Sequence, residues 1–286
     1  MKEKIRIAIQ KSGRLYTESV QLLKDCDINF NDSNNQLKIE CTNFPLDIFF
    51  LRNSDIPRYL NDNVIDLAIL GKNLVEEASL ECIILENLGF SKCRVSIAVP
   101  KQQSFSNIDD LNGKKIATSY PNTLSKFLKE KNISSEIHVI NGSVEIAPNI
   151  GLSDAVCDIV STGSTLYENN LKEFYKLFDS EALLVQRKNI GLAKDKLINQ
   201  LQFRIKSVIE GKKIKYIIMN VENDTIEKVS KILPVLKSPS VTPLVKAGWS
   251  SLQTVINVED FWDIIYKLKN EGAQDILVTP IEKVVR

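Results

Sequence analysis

The sequence predicts an α/β protein with two lobes, followed by a smaller domain of ferredoxin-like type. From residue 1 to about 185, short β-branched runs alternate with helical patterns, which is typical of an α/β fold with mainly parallel sheets. From residue 214 onward the elements follow the order βαββαβ, which is ferredoxin-like. An amphipathic helix is predicted between the two parts, at residues 194–210, because apolar residues recur there at helical spacing.

The elements of the first part follow from apolar periodicity. Strands are predicted at residues 5–9, 46–51, 66–70, 95–99, 115–118 and 137–140, and a last one closes at 159–160. Helices are predicted at residues 15–23, 56–60, 122–131 and 145–152, and a helical pattern follows residue 165. Two such lobes meet at a cleft, and ligands of open parallel sheets lie beyond the carboxyl ends of the strands.

The C-terminal elements complete the division of the chain. Strands are predicted at residues 215–221, 241–244, 251–258 and 275–280, with helices at 225–233, stopped by Pro234, and at 261–271. We therefore expect a first lobe over residues 1–95, to which 178–190 return, and a second lobe over 96–177. Residues 191–213 form the connecting helix, and residues 214–286 form the ferredoxin-like domain.

Composition narrows the function. Lysine and arginine (37) nearly balance aspartate and glutamate (36), so no global charge indicates binding to nucleic acid or a membrane. No export signal or membrane-spanning run is present, and five cysteines form no C-x-x-C pair, which favours a cytoplasmic location. The chain has a single histidine, His138, which excludes multi-histidine metal sites. His138 lies in an apolar run and is interpreted as structural.

The stretch at residues 158–165 is the most informative motif. A β-branched run ends in small hydroxyl residues around one glycine, and a helical pattern follows. Such a loop presents backbone N–H groups to an anion, and Asp158 can accept hydrogen bonds from sugar hydroxyls. We therefore predict a site for a phosphorylated sugar; the alternative is a turn with good N-caps. The donors are Ser161, Thr162, Gly163, Ser164 and Thr165.

Other polar residues lie at or near the ends of predicted strands. Lys11 and Arg14 place two cations beside Gly13, where the chain turns from strand to helix, although a pair of solvated surface cations is the alternative. Each of the other positions is a weak signal alone, but together they suit a polyphosphate held mainly by donors. These positions are Arg52, Asp66, Gly71, Arg94, Ser143 and Glu145.

The residues resemble those of a known family, ATP phosphoribosyltransferase in its long, histidine-regulated form. The resemblance runs over nearly the whole chain. It rests on residues 8–15 (AIQKSGRL), 93–94 (CR), 116–121 (IATSYP), 141–148 (NGSVEIAP), 154–163 (DAVCDIVSTG) and 280–283 (PIEK).

The resemblance implies a fold, a reaction and site residues. The two lobes would resemble periplasmic binding proteins, and the C-terminal domain would be regulatory. N1 of the adenine of ATP would attack C1 of phosphoribosyl pyrophosphate, and pyrophosphate would leave with Mg²⁺. This is the first step of histidine biosynthesis. Loop 158–165 would hold the ribose and 5-phosphate, while the nucleotide and pyrophosphate would be lined by Lys11, Arg14, Arg52, Asp66, Gly71 and Arg94.

The resemblance also implies partners and regulation. A homo-oligomer, a dimer or hexamer, would bind L-histidine as an inhibitor in the C-terminal domain. Gln253 stands where the family strand commonly carries histidine, so inhibition is expected to be weaker. The reaction needs no enzyme nucleophile, which suits a chain with one histidine.

Two other functions share this architecture. A prephenate dehydratase-like enzyme is expected to carry a Thr-Arg-Phe triplet, which does not occur here. A solute-binding or ligand-sensing protein is disfavoured by the missing export signal and the absence of an additional N-terminal DNA-binding segment. An assay for pyrophosphate, with both ATP and phosphoribosyl pyrophosphate supplied, distinguishes the transferase from these two alternatives.

Overall fold

The structure is a computed structural model that describes residues 3–31, 36–233 and 238–285. The chain divides into two compact units. The first contains Met1–Gln21 and Ile28–Ile198, and the second contains Leu22–Asp27 and Asn199–Arg286. Both the predicted α/β part and the predicted ferredoxin-like part are present.

The strands up to residue 187 form two sheets. In chain order they are β1 (Ile5–Gln10), β2 (Lys38–Glu40), β3 (Leu46–Leu51), β4 (Leu67–Gly71), β5 (Cys82–Asn87), β6 (Cys93–Pro100), β7 (Lys115–Thr118), β8 (Glu136–Val139), β9 (Ala155–Val160), β10 (Leu171–Ser180) and β11 (Ala182–Arg187). The first sheet has the order β2-β3-β1-β4-β11-β5, and the second sheet has the order β10-β6-β9-β7-β8.

Helices and short turns connect these strands. The helices are α1 (Arg14–Asp25), α2 (Ile56–Asn61), α3 (Lys72–Glu77), α4 (Pro121–Glu130), α5 (Ser164–Glu168) and α6 (Leu192–Lys212). Turns of 3-10 helix occupy Ile108–Leu111 and Val144–Ile146. The division between the two compact units passes through α1 and α6.

The central strand of the first sheet is largely buried, and Arg6 is its one exposed residue. Ile7 and Ile9 are fully buried, and Ala8, which points to the opposite face, packs in a cluster with Ile56 and Leu60 of α2. The sequence revealed β1 through a short run of β-branched residues, which Arg6 interrupts, and largely covered parallel strands are rich in such residues. β1 pairs in parallel with β3 and β4, so their carboxyl ends share one edge of the sheet.

Both sheets are mixed rather than mainly parallel. β11 runs antiparallel to β4 and β5, and β6 runs antiparallel to β9 and β10. The strands β2, β5, β10 and β11 were not predicted. In β10 two register shifts, at Glu173/Tyr175 and Lys176/Phe178, disturb the alternation of inward and outward residues by which a strand is recognised.

One predicted helix is wrong, and another is present but shorter than its pattern. Residues 145–152 do not form an α-helix, because Pro148 lacks an N–H group and its ring opposes the carbonyl four residues earlier; only the 3-10 turn Val144–Ile146 forms. The helix after the 158–165 stretch is the short α5, which ends at Glu168. Asn170 then takes a left-handed φ of 55°, and Leu171 begins β10 instead of continuing the helix.

The second unit contains the predicted βαββαβ order. Its strands are β12 (Ile214–Glu222), β13 (Ser240–Pro243), β14 (Trp249–Asn257) and β15 (Gln274–Pro280), and its helices are α7 (Ile226–Ile232) and α8 (Phe261–Asn270). The third sheet is antiparallel with the order β13-β14-β12-β15. Pro234, the predicted helix stop, lies outside the described residues.

The predicted connecting helix is present as α6 and is two residues longer at each end than the predicted 194–210. Leu201, Ile205 and Val208 are fully buried at helical spacing, as the pattern predicted. Among the described residues, no helix is both long enough and apolar enough to cross a bilayer.

Candidate active site

The carboxyl ends of β1 and β3 bring two predicted cations together. Ile9 and Gln10 of β1 lie opposite Phe50 and Leu51 of β3, and the Lys11 N–H donates to the Leu51 carbonyl at 2.9 Å. Lys11 and Arg52, which continue these strands, are both exposed at the same edge. They form a positive edge that is free to meet an anion.

Arg14 begins α1 directly after the turn at Gly13, whose φ is 87°. Its Nη2 donates to the Lys92 carbonyl at 3.0 Å, and its Nε lies 3.9 Å from Glu18 Oε2. The contact with Lys92 holds the guanidinium across from the start of β6. Arg14 is therefore anchored at one side, unlike a freely mobile surface cation.

A cavity of about 230 Å³, here called the cleft, lies between the first and second sheets. The first-sheet side contributes Gln10, Arg14, Asn53, Gly71 and Asn73, and the second-sheet side contributes Ile159 and Ser161. The cleft thus brings together three predicted residues, Arg14, Gly71 and Ser161, from ends of different strands.

Gly71 is required by a close approach. A Cβ at this position would lie 2.2 Å from Asn73 Oδ1, far inside van der Waals contact. Asn73 is buried, its Oδ1 accepts from Ser180 Oγ at 3.0 Å, and its Nδ2 donates to the Tyr120 hydroxyl at 3.2 Å. The sequence did not indicate Asn73, because a single amide two residues after a strand carries no pattern.

The residues of the 158–165 stretch line a second cavity, of about 210 Å³. It is lined by Glu145, Asp158, Ser161, Thr162, Gly163 and Thr165, together with neighbouring apolar residues. Ile159 and Ser161 also line the cleft, so the two cavities adjoin. We refer to residues 161–165, between the end of β9 and the start of α5, as the loop.

Local geometry opens the loop toward this cavity. Gly163 has a φ of 84°, a conformation that glycine adopts without strain, and it directly precedes α5. The hydroxyl groups of Thr162 and Ser164 lie 3.0 Å apart and form a hydrogen bond. Ser143 is exposed with a φ of 49° and lies two residues before Glu145, the member of its turn that reaches the cavity.

Asp158 is an unusual carboxylate. Burial raises its pKa to about 6, helped by the negative charge of Glu145, and the hydrogen bond from the Ile159 N–H (2.7 Å) opposes this rise. Near neutral pH the carboxylate is charged in a poorly hydrated place. It is therefore a strong acceptor for hydroxyl groups that enter the cavity.

Arg94 connects the first residue of the loop, Ser161, to Glu173 of β10. Its Nε donates to Glu173 Oε1 at 2.6 Å, its Nη2 donates to Glu173 Oε2, and its Nη1 donates to the Ser161 carbonyl at 3.1 Å. The carboxylate of Glu173 raises the pKa of Arg94. Much of the donor capacity of Arg94 is therefore used within the protein.

Asp66 lies away from the cleft. It precedes β4, whereas Gly71 ends β4, and five strand residues span about 16 Å. Its buried carboxylate binds Arg187 Nη2 at 3.1 Å and Lys194 Nζ at 2.9 Å, and it accepts the Arg6 N–H at 3.0 Å. Asp66 thus links β4, β1, β11 and the start of α6.

Within the described ranges, no group of three or more histidine, cysteine, aspartate or glutamate side chains could hold a metal ion. In the second unit, Gln253 lies on β14 and faces away from Leu252, which is in the apolar core of that unit. Its Oε1 accepts a hydrogen bond from the Tyr216 hydroxyl at 2.7 Å.

Comparisons with known proteins cover nearly the whole chain. A family model described as ATP phosphoribosyltransferase matches residues 52–207, and one described as HisG, C-terminal domain, matches residues 211–283. ATP phosphoribosyltransferase of Cytophaga hutchinsonii is 51% identical over 99% of both chains, and that of Phocaeicola vulgatus is 46% identical over 98% of this chain and 99% of its own.

The chain belongs to the ATP phosphoribosyltransferase family. With both models matched in one chain, it has the long form that the sequence resemblance indicated, and the predicted enzyme class, a transferase of histidine biosynthesis, is confirmed.

Solved structures support the fold. The ATP phosphoribosyl transferase (HisG:HisZ) complex from Thermotoga maritima matches with a TM-score of 0.64 and 28% identity, over 72% of this chain and 98% of that chain. A histidine kinase sensor domain with similarity to periplasmic binding proteins matches with a TM-score of 0.51 at 11% identity, which bears on the fold alone.

The Asp66 cluster predicts a stability effect. Asp66→Asn leaves Arg187 and Lys194 largely buried without their counterion, and we expect the free energy of unfolding to fall by about 3 kcal/mol. Urea unfolding followed by circular dichroism measures this. Glu81→Gln, which breaks an exposed pair with Lys188, is the control and should change little. Similar losses in both variants would contradict a buried cluster.

Asp158 is predicted to lower the stability of the folded state, whereas Asp66 is predicted to raise it. Because its pKa is raised from 3.8 to about 6, the folded state keeps a proton that the unfolded state releases, and this group destabilises the fold increasingly from about pH 4 to 6. Asp158→Asn carries no charge, and its Oδ1 can still accept from Ile159. We expect its Tm to exceed that of the wild type by a few degrees above pH 6, with the gap closing near pH 4.

Thermal unfolding at several pH values measures this gap, and Asp109→Asn, an exposed acid-to-amide change, is the control. A constant or inverted Tm difference between Asp158→Asn and wild type would show that Asp158 is not a desolvated carboxylate.

Proposed function

We propose that the cleft and the loop cavity together carry out phosphoribosyl transfer, with N1 of the adenine of ATP attacking C1 of phosphoribosyl pyrophosphate. The observation that carries the assignment is the adjoining of the two cavities at Ile159 and Ser161. A sugar phosphate in the loop cavity would present C1 toward the cleft, where the second substrate has room.

The loop is assigned to the ribose 5-phosphate. The residues at the start of α5 and the hydroxyls of Ser161, Thr162, Ser164 and Thr165 offer hydrogen-bond donors, and a helix start favours an anion. Asp158 accepts from the ribose hydroxyls, and Glu145 lies beside it. Ser143 directly precedes the 3-10 turn that carries Glu145.

The cations at the edge of the first sheet are assigned to the pyrophosphate and the nucleotide phosphates. Lys11 and Arg52 are exposed at neighbouring strand ends, and Arg14 lines the cleft opposite Ser161. These cations stabilise the leaving anion through their positive charge. Gly71 leaves the space in the cleft wall that the side chain of Asn73 occupies. Asp66 is left out of this set, because Arg187 and Lys194 occupy its carboxylate.

Magnesium fits this site as a companion of the substrate. The described residues offer no all-protein cage, and Mg²⁺ usually binds substrate phosphates with one or two carboxylates. Glu145 and Asp158 are the carboxylates on the loop cavity that could complete such a set. When bound, Mg²⁺ neutralises charge on the pyrophosphate group.

We also infer that the chain forms a homo-oligomer, a dimer or a hexamer, and works in the cytoplasm with L-histidine as its inhibitor. The match of residues 211–283 to the C-terminal domain model supports a regulatory part. Gln253 is assigned to that regulatory site because it lies on the sheet face opposite the core residue Leu252.

The proposed reaction is tested by measuring the pyrophosphate that is released when the protein is given both ATP and phosphoribosyl pyrophosphate. In this assay Thr162→Ala removes a donor of the loop, and we expect kcat/KM for phosphoribosyl pyrophosphate to fall about 10²–10³-fold. Thr42→Ala, whose hydroxyl contacts only the Asn29 carbonyl in the hydrogen bonds described, is the control. Wild-type kinetics in a folded Thr162→Ala would contradict the loop assignment.

Inhibition by L-histidine tests the regulatory assignment. A neutral amide at 253 cannot titrate as imidazole does, and its Oε1 is bound to Tyr216. We expect Gln253→His to bind L-histidine about tenfold more tightly than wild type, a difference of about 1.4 kcal/mol. Gln274→His, an exposed change in the same unit, is the control. Equal inhibition of wild type and Gln253→His would show that residue 253 is not a determinant.

A further inference from the structure

Glu173 lies next to the loop machinery although no sequence pattern indicated it. It is the third residue of β10 and pairs with Ala98 of β6. Its Oε1 accepts from Arg94 Nε at 2.6 Å and from Ser96 Oγ at 2.7 Å, while its Oε2 accepts from Arg94 Nη2. One carboxylate thus receives three hydrogen bonds from two residues of one strand.

These contacts continue to the loop. Arg94 pairs with Val160, the last residue of β9, and its Nη1 donates to the carbonyl of Ser161 at 3.1 Å. The series Glu173, Arg94, Ser161 therefore crosses three neighbouring strands of the second sheet, β10, β6 and β9. It ends on the first residue of the loop.

The backbone directs Glu173 to this place. The register of β10 shifts between Glu173 and Tyr175, and such a bulge re-aims the side chains beside it. The side chains of Arg94 and Glu173 are 28% and 29% exposed, so the pair is partly shielded from water. Arg94 and Ser96 lower the pKa of Glu173 through their hydrogen bonds, so the acid is ionised at neutral pH.

A fork between arginine and carboxylate fixes the plane of the guanidinium. With Nε and Nη2 bound to Glu173, the direction of Nη1 is set, and it meets a carbonyl rather than a substrate oxygen. Without Glu173, Arg94 would have many rotamers and would be drawn toward any anion in the adjoining cavities. The Ser161 carbonyl would lose its anchor.

We propose that Glu173 is a positioning residue for phosphoribosyl transfer, which holds Arg94 so that Arg94 fixes the loop before substrate arrives. This rests on the proposed function of the loop. Loops that are already ordered bind their ligand without a further entropy cost. Thr162, Gly163 and Thr165 line the loop cavity but not the cleft, whereas Ser161 lines both. Binding of phosphoribosyl pyrophosphate should therefore depend on Glu173 much more strongly than binding of ATP.

Steady-state kinetics of the full chain test this. Glu173→Gln keeps the side-chain shape but turns an N–H group toward the guanidinium. We expect the KM for phosphoribosyl pyrophosphate to rise about tenfold, with the KM for ATP within about twofold of wild type. Asp179→Asn is the matched control: Asp179 pairs with Arg94 in the β10–β6 register, but its carboxylate binds Lys176 at 2.8 Å. It should leave both KM values unchanged.

A double variant separates positioning from general damage. If Glu173 acts through Arg94, adding Glu173→Gln to Arg94→Gln should cost little beyond Arg94→Gln alone. Fully additive losses, or equal rises in both KM values, would overturn the proposal. Arg94→Lys gives a second route if Glu173→Gln does not fold. Lysine cannot form the fork, and the same KM should rise.

The Thr162→Ala variant distinguishes the two levels of inference. If Thr162→Ala impairs phosphoribosyl pyrophosphate use and Glu173→Gln does not, the positioning role is wrong and the loop assignment stands. If neither variant affects it, the loop assignment itself is wrong.

Discussion

The side chain of Asn73 is the contact on which the geometry of the cleft depends. It follows the end of β4 in the first sheet, yet it hydrogen-bonds Tyr120, which follows β7 of the second sheet, and Ser180, which ends β10. These groups are buried, and an unpaired amide there would be costly, so the network is satisfied in only a narrow range of spacings between the sheets. Gly71 leaves the space that Asn73 fills. A glycine and an amide two residues apart therefore set the width of the cleft.

The two arginines near the loop, Arg14 and Arg94, have different roles. Arg94 spends three donor groups on Glu173 and Ser161, so its main effect is on the shape of the loop. Arg14 makes one hydrogen bond to a carbonyl and lines the cleft, which leaves most of its fork for an anion. Arg14 follows β1 and Arg94 lies near the start of β6, but the resemblance assigned both to the nucleotide and pyrophosphate. The partner carboxylate, Glu173, comes from a strand about eighty residues later, and only the fold brings it to Arg94.

The sequence predicted the parts of the fold whose patterns are local. β1 and β9 are rich in β-branched residues, α6 has regular helical spacing, and the βαββαβ order of the second unit holds. It failed at β10, where two register shifts displace Phe174, Tyr175, Leu177 and Phe178 from strand alternation while all four still pack on the core. Within the site, the loop and Arg14 were found from small residues and cations at strand ends. Asp66, at the start of its predicted strand, was also predicted to line the site, but the sequence could not show that Arg187 and Lys194 bind its carboxylate.

The placing of Asp158 makes physical sense for a reaction at a sugar carbon. Burial and the charge of Glu145 both disfavour the ionised form of Asp158. The two carboxylates, Asp158 and Glu145, therefore line one cavity in an arrangement that lowers the stability of the fold. Departure of pyrophosphate from C1 leaves positive charge on the ribose ring. A carboxylate poorly solvated by water responds strongly to that charge and needs no reorganisation when it appears. Under the proposed function, the stability lost by keeping Asp158 ionised is offset by its attraction to the cationic ribose in the transition state. A protein that only bound a sugar phosphate would gain nothing from this arrangement.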